Sequence, residues 1–548
     1  MMKNIITMLF SLLPLAVMAQ YHSEAWCPDN GDGTYTNPVI NADYSDPDVC
    51  AVGGDYYMTA SSFNCIPGLP ILHSKDLVNW EIVGHALRQL TPKEYFDVPR
   101  HGEGVWAPSI RYHNGYFYIY WGNPDYGVYM VKTKNPQGTW EEPVCVIAGK
   151  GMIDTCPLWD DNGRCYLVNG WAGSRAGFNS VLTVRELSAD GTRVISQPRI
   201  VFDGGQVNHT TEGPKFYKHD GWYWIMCPAG GVKQGWQLAM RSRSPYGPYE
   251  WKKVMAQGST NVNGPHQGAW VHTLQGEDWF LHFNDRYEYG RVVYLQPLHW
   301  TENWPVMGVD KDGDLCGEPV IRYRKPKSES KLIMNPQEND EFNNGEIGLQ
   351  WQWHANYNQL YGMPTSDGWM RLYTRDLNEN FVNLWEAPNL LLQKTPAEIF
   401  TATAKIRFAS KGENQYGGII VMGMDYSALV VNRIGNSFHL QHITCKDADK
   451  SGREVTEDIA VLEPTERDTI PYSPAIYIDL YLQMKISNGT CLFSYSIDGK
   501  SYNKVSGLFK MREGKWIGAK IGLVSECKNR NSNCGWLDVD WFRITNNK

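Results

Sequence analysis

Residues Ala107–Gly122 read "APSIRYHNGYFYIYWG": a small residue beside a proline, a short strand, an Asn-Gly turn, and an aromatic strand that returns. Asn-Gly between two such runs is a strong short-range hairpin signal. The pattern occurs four more times. "DPDVCAVGGDYYMTAS" begins at Asp46, "DTCPLWDDNGRCYLVNG" at Asp154, "EGPKFYKHDGWYWIMCP" at Glu212 and "HQGAWVHTLQGEDWFLHF" at His266. The five starts are 61, 47, 58 and 54 residues apart, about the length of a four-stranded propeller blade. Helical periodicity is scarce throughout. The repeat predicts an all-β chain whose residues 20–325 form a five-bladed β-propeller.

Past "GRVVYLQPLHW" and "WPVMG" the repeat stops, and residues 326–337, rich in charge and proline, read as a linker. Residues 338–548 bring longer alternating runs, among them "TATAKIRFAS", "AIYIDLYLQMKIS" and "WLDVDWFRIT". With hairpin turns such as "IDGKSY", these predict an antiparallel β-sandwich of the jelly-roll, concanavalin-like kind.

Composition narrows the class. The first 19 residues carry a lysine, an apolar run from Ile5 to Met18, and small residues at Val17 and Ala19. That is a secretory signal, cut after Ala19, so the protein is expected to be exported, periplasmic or secreted. No cysteine follows the cut, so no lipid anchor is indicated, and no later apolar run is long enough for a membrane span. A net charge of −8 without a basic cluster argues against a nucleic-acid partner. Aromatic residues make up 13% of the chain, with 22 Trp and 31 Tyr. Two readings compete: sugar-ring stacking, or strand packing in a β-rich core. Twelve cysteines show no metal-ligand spacing. Cys156 with Cys165, or Cys527 with Cys534, are candidate disulfides.

The first strand of a propeller blade lines the central channel, so residues at the five unit starts converge: Asp46, Ala107, Asp154, Glu212 and His266. Three are acids. Burying a carboxylate costs several kcal/mol unless it is compensated, so three together mark a site. Paired carboxylates across a pocket suit glycoside hydrolysis, one protonating the leaving oxygen and one activating water. Asp46 is assigned as general base and Glu212, with its longer reach, as general acid. Asp154 is assigned as the neighbouring charge that keeps the acid protonated. Phe63, Trp106 and Trp236 could stack on a sugar face, with blade packing as the alternative. "DKDGD" at Asp310–Asp314 lacks the distal glutamate of a calcium loop and reads as a solvated turn.

These motifs carry a resemblance. "NPVINADYSDPDV", "WAPSIRYHNGYFYIYWG", "IDTCPLWDDNGRCYLVNG", "TEGPKFYK" and "GRVVYLQPLHW" together resemble glycoside hydrolase family 43, especially its β-xylosidase and α-L-arabinofuranosidase branch. "FNNGEIGLQWQWHAN" is similar to the start of the sandwich appended to many such β-xylosidases. The resemblance covers nearly all of the chain after the signal. It implies the same three roles for Asp46, Asp154 and Glu212, inversion at the anomeric carbon, and a sugar contact from Arg291. It also implies that His266 helps bind substrate or hold a calcium ion or a water cluster in the channel. Calcium prefers oxygen ligands, so a cation-bound and a cation-free channel both stay open, and no cofactor is required. Thr155-Cys156 departs from the Pro-Ser of many members and leaves the local backbone open. The expected substrate is an oligosaccharide bearing terminal β-D-xylosyl or α-L-arabinofuranosyl residues, as in xylan and arabinoxylan. The rivals are an arabinan- or galactan-directed exo-hydrolase on the same scaffold and a non-catalytic glycan-binding protein.

Overall fold

The computed structural model describes residues 21–376, 381–467, 475–528 and 534–547; the candidate signal segment lies outside them. Five antiparallel four-stranded sheets, each built of consecutive strands, form the propeller. Blade I comprises Asp48–Val52, Asp55–Thr59, Gly68–Ser74 and Trp80–Leu87; blade II, Trp106–His113, Tyr116–Asn123, Gly127–Thr133 and Val144–Ala148. Blade III comprises Met152–Trp159, Cys165–Trp171, Val181–Leu187 and Arg199–Asp203; blade IV, Lys215–His219, Trp222–Ala229, Trp236–Ser242 and Glu250–Met255. Blade V comprises His266–His272, Asp278–Asp285, Arg291–Thr301 and Trp304–Met307.

Most aromatic rings join strand to strand and blade to blade. Between blades IV and V, Trp224 meets Trp300 and Trp304 edge-on, with ring centroids 5.1 and 5.6 Å apart. The Arg241 guanidinium caps Trp304 at 4.2 Å. Such contacts add to the area that large rings bury. Packing therefore accounts for much of the aromatic surplus.

The first strands are stitched to one another around the axis. Ile110 N–H donates to Asp48 Oδ2 (2.8 Å), Ser109 Oγ to Thr155 O (2.7 Å), and Lys215 Nζ to Pro108 O (2.8 Å). Trp270 N–H donates to the Tyr217 hydroxyl (3.1 Å). Asp48 is a fourth acid on these strands, wholly buried, but Arg111 Nη1 at 2.6 Å and Lys215 Nζ at 3.9 Å compensate it. The N-terminal segment closes the ring against blade V. Asn37 takes Leu295 N–H and donates to Leu295 O, both at 2.8 Å, while Thr34–Thr36 pairs with Arg322–Arg324.

The C-terminal domain is a sandwich of an eight-stranded and a nine-stranded sheet. Ile476–Ser487 shows why: Ile476, Ile478, Leu480, Leu482, Met484 and Ile486 alternate into the core while polar neighbours face out. Each buried side chain of that size contributes about 1.5–3 kcal/mol before chain entropy is charged.

Residues 326–337 do not hang free between the domains. Ser328 Oγ bonds Lys75 O (2.8 Å) and Lys327 N–H bonds Glu277 Oε2 (2.8 Å), so the segment lies across blades I and V. The domains also share backbone pairing, with Ile66 and Trp353 exchanging N–H···O bonds of 3.1 and 2.6 Å. His101 stacks on Trp385 at 3.6 Å.

Cys156 and Cys165 are separate thiols. Cys156 stands opposite Val168, and Cys165 opposite Trp159. Their side chains enter different clusters on the two faces of blade III, which rules out a bridge. The Cys527–Cys534 candidate encloses residues outside those described.

Candidate active site

One residue in each blade takes a left-handed backbone where the first strand begins: Asp46 (φ 56°), Ala107 (35°), Asp154 (58°), Gly213 (58°) and Gln267 (38°). The strand register shifts beside this residue in blades II, III and V. In those three blades a bulge turns the first strand toward the axis. Asp tolerates this conformation; elsewhere a non-glycine residue there costs about 1–3 kcal/mol, a strain typical of functional sites.

This shifts two expected equivalences by one residue. Glu212 and His266 precede the left-handed position, in line with each other rather than with Asp46 and Asp154. Their side chains accordingly meet: His266 Nε2 lies 3.1 Å from Glu212 Oε1. The counterpart of Asp154 in blade IV is Gly213, whose N–H donates to Asp154 Oδ2 at 2.7 Å. A Cβ on Gly213 would stand 2.6 Å from Gln267 Cδ, so any larger residue here would displace the Gln267 side chain.

The channel mouth is a pocket of about 290 Å³. Asp46, Asp154, Glu212 and Arg291 line it, with Phe63 and Trp106 on its wall. Ser45 Oγ (2.8 Å) and Ser61 Oγ (2.6 Å) both donate to Asp46 Oδ2. That leaves Oδ1, 3.5 Å from Arg291 Nη1, for other work. The Arg291 guanidinium also donates to Ser45 Oγ (2.8 Å), and its backbone N–H to Asp43 Oδ1 (2.9 Å). Arg291 is therefore held at both its backbone and its guanidinium.

Asp154 is buried. Burial first, and the Glu212 carboxylate second, push its carboxyl up to about 8, with the Gly213 N–H opposing the rise. Asp154 therefore keeps its proton at neutral pH. Glu212 is the more accessible, its side chain 29% exposed.

Two expected site residues stand elsewhere. Trp236 does not line the pocket: its indole donates to Asn208 Oδ1 (3.2 Å) and packs under Lys253. His266 is wholly buried behind Glu212, so it positions that acid instead of touching a sugar. Its Nδ1 has no hydrogen-bond partner among the described residues. The groups beside it are one carboxylate oxygen of Glu212, the imidazole of His282 and the ring of Phe283. That set does not fit calcium, which takes six to eight oxygens. Asp310, Asp312 and Asp314 form a turn, with Asp310 accepting the N–H groups of Gly313 (2.8 Å) and Leu315 (3.1 Å).

The structure adds Thr210, Val232, Gln267 and, from the other domain, Trp516. Trp516 sits in the turn "EGKWIG" and meets Trp106 edge-on at 6.2 Å; Trp106 meets Phe63 the same way at 6.3 Å. The turn is held by Asp43, whose Oδ2 accepts Gly518 N–H (2.9 Å) while Oδ1 takes Arg291. A Cβ on Gly518 would lie 2.6 Å from Gly290 N, so the two backbones touch. Trp516→Ala should raise KM about tenfold and leave kcat within threefold, because one stacking wall is lost and no reacting group moves. Steady-state kinetics on a chromogenic glycoside read this out.

A propeller whose axis gathers three carboxylates and an arginine, roofed by a sandwich, is the architecture of a glycoside-cleaving enzyme. The chain matches Glycosyl hydrolases family 43 over residues 35–305 and the Beta xylosidase C-terminal Concanavalin A-like domain over residues 339–545. It belongs to that family and is a glycoside hydrolase. A beta-xylosidase of Formosa agariphila is 31% identical over 96% of this chain and 93% of its own. A non-reducing end alpha-L-arabinofuranosidase of Bacteroides ovatus, BoGH43B, is 29% identical over 93% and 94%. The solved xylan beta-1,4-xylosidase of Bacillus halodurans superposes with a TM-score of 0.79, covering 93% of this chain and 99% of that one at 23% identity.

Proposed function

We propose that this enzyme is exported and removes terminal β-D-xylosyl or α-L-arabinofuranosyl residues from xylan-type oligosaccharides by single displacement with inversion. The observation that carries the proposal is the meeting of Asp46, Asp154 and Glu212 on one pocket. The beta-xylosidase and arabinofuranosidase names of its relatives support the sugar class, and the apolar run at Ile5–Met18 supports export.

Asp46, its Oδ2 fixed by two serine hydroxyls, uses Oδ1 to take a proton from water as that water attacks the anomeric carbon. Arg291 holds the Asp46 side of the site. Glu212 gives its proton to the departing oxygen. In the open pocket buried Asp154 carries a proton. Once a sugar covers Glu212, the gap in solvation between the two acids closes, while the Gly213 N–H still favours an ionised Asp154. The proton then moves to Glu212. His266 and Asp154 keep Glu212 aimed.

The test is release of 4-nitrophenol from the β-D-xyloside and the α-L-arabinofuranoside, with the product anomer followed by proton NMR. An α-xylose product from the β-xyloside is expected; first-formed β-xylose would overturn inversion, and no release from either would overturn the substrate class.

Asp154 makes this pH-dependent with a definite sign. Its carboxyl is raised from 3.8 to about 8 in the folded chain, so the folded state resists losing the proton. Activity should fall as pH rises through about 8, and folded stability should decline from about pH 4 up to that point. Asp154→Asn removes the like charge, and the alkaline limb of kcat/KM should move down by at least about one unit. A pH–rate profile of the variant measures this.

A further inference from the structure

The pocket does not end at Trp516. Val232, Arg291 and Trp516 also line a second cleft, of about 200 Å³, between blade loops and the sandwich. Tyr287 and Glu513 line that cleft and a third, of about 690 Å³, that lies over the sandwich. His442, Thr444 and Glu457, from neighbouring strands of the eight-stranded sheet, form part of its wall. The three cavities thus share their boundaries in sequence.

Their direction follows from Glu212. Its N–H donates to Pro228 O (3.2 Å), near the end of Trp222–Ala229, and Val232 and Lys233 lie just beyond that strand. The second cleft therefore leaves the pocket between blades IV and V, with Val232 on the Glu212 side and Arg291 on the Asp46 side. A proton donor stands on the leaving-group side of the scissile bond, and a leaving group protonated by Glu212 continues past Val232 into this cleft.

The cleft is furnished for sugar. Tyr287 is 53% exposed, yet it is held: its backbone is left-handed at φ 54°, and its N–H donates to Asp285 Oδ1 at 2.9 Å. Lys233 Nζ sits 4.8 Å from its ring centroid. A fixed, solvent-facing aromatic offers an apolar ring face, and Lys233, Asp285, Lys515 and Glu513 around it offer both donors and acceptors. Both charge signs are present, which suits neutral hydroxyls better than an anion.

We propose that this cleft is an aglycone track: it binds two or more further sugars of a neutral oligosaccharide whose terminal residue occupies the pocket. This rests on the hydrolytic reading above and extends it, giving the sandwich a share in choosing chain length. A substrate that fills the track draws on contacts a short aglycone lacks, and these appear in kcat/KM.

The experiment compares 4-nitrophenyl β-D-xyloside, xylobiose and xylohexaose on the full-length enzyme and on Tyr287→Ala. The native enzyme should cleave xylohexaose with a kcat/KM at least fivefold above xylobiose. Tyr287→Ala should lose that gain while cleaving the nitrophenyl glycoside within twofold of native. A second variant, Thr444→Trp, far from the pocket, should also lose the gain by obstructing the track. Native kcat/KM that does not rise with chain length, with the nitrophenyl glycoside still cleaved, overturns the track and spares the pocket. Equal losses on all three substrates overturn it as well, by showing that Tyr287 acts on the pocket. No cleavage of any substrate overturns the pocket reading and the track together.

Discussion

Asp46→Asn should lower turnover of every glycoside by about 1,000- to 10,000-fold, and by the same factor whatever the leaving group. The base works on water, and its demand does not change with the acidity of the departing alcohol. The substitution is nearly isosteric. The Asn oxygen can still accept from Ser45 or Ser61, which now donate to Asp46 Oδ2 at 2.8 and 2.6 Å. Folding and sugar binding should therefore survive, and calorimetry with xylose should give a Kd within about threefold of native. A loss that varied with leaving group would place Asp46 on the other side of the bond.

Glu212→Gln should behave in the opposite way. Hydrolysis of xylobiose, whose leaving alcohol needs a proton, should fall about 1,000-fold. Hydrolysis of a 2,4-dinitrophenyl xyloside, whose leaving group departs as an anion, should fall less than tenfold. His266 Nε2, 3.1 Å from Glu212 Oε1, can still bond the Gln oxygen, so the side chain keeps its aim. Equal losses on both substrates would remove Glu212 from the acid role. With Asp46→Asn, the pair forms a test in which the two carboxylates must separate by leaving-group dependence.

Tertiary docking adds a dependence that no acid in the propeller reveals. Asp43 takes one N–H from Arg291 and one from Gly518, at 2.9 Å each. It thereby ties the sugar-side arginine to the turn that carries Trp516. Buried N–H groups left unpaired cost about 1–3 kcal/mol each, so the roof and the arginine are held in register by one carboxylate.

The five-bladed architecture was legible because each blade repeats a hairpin with its own turn residues, and because strand alternation in runs such as "AIYIDLYLQMKIS" is set by local chemistry alone. The three carboxylates were legible for the same reason, since their places in the repeat bring them to one axis. The offset of Glu212 and His266 was not. A left-handed residue can fall at either of two neighbouring positions without changing composition, and only the backbone at Asp46, Asp154 and Gly213 shows where it does. Trp236 and Trp516 exchange roles for a related reason. An aromatic ring packs equally well between blades or beside a sugar, and its neighbours decide which. Trp236 finds Asn208 and Lys253, whereas Trp516, 225 residues from Arg291 and in another domain, is carried to the pocket by Asp43. The proton on Asp154 likewise depends on its burial. The sequence by itself determined which groups are present and how the blades repeat them; burial, bulge and domain docking decided what each one touches.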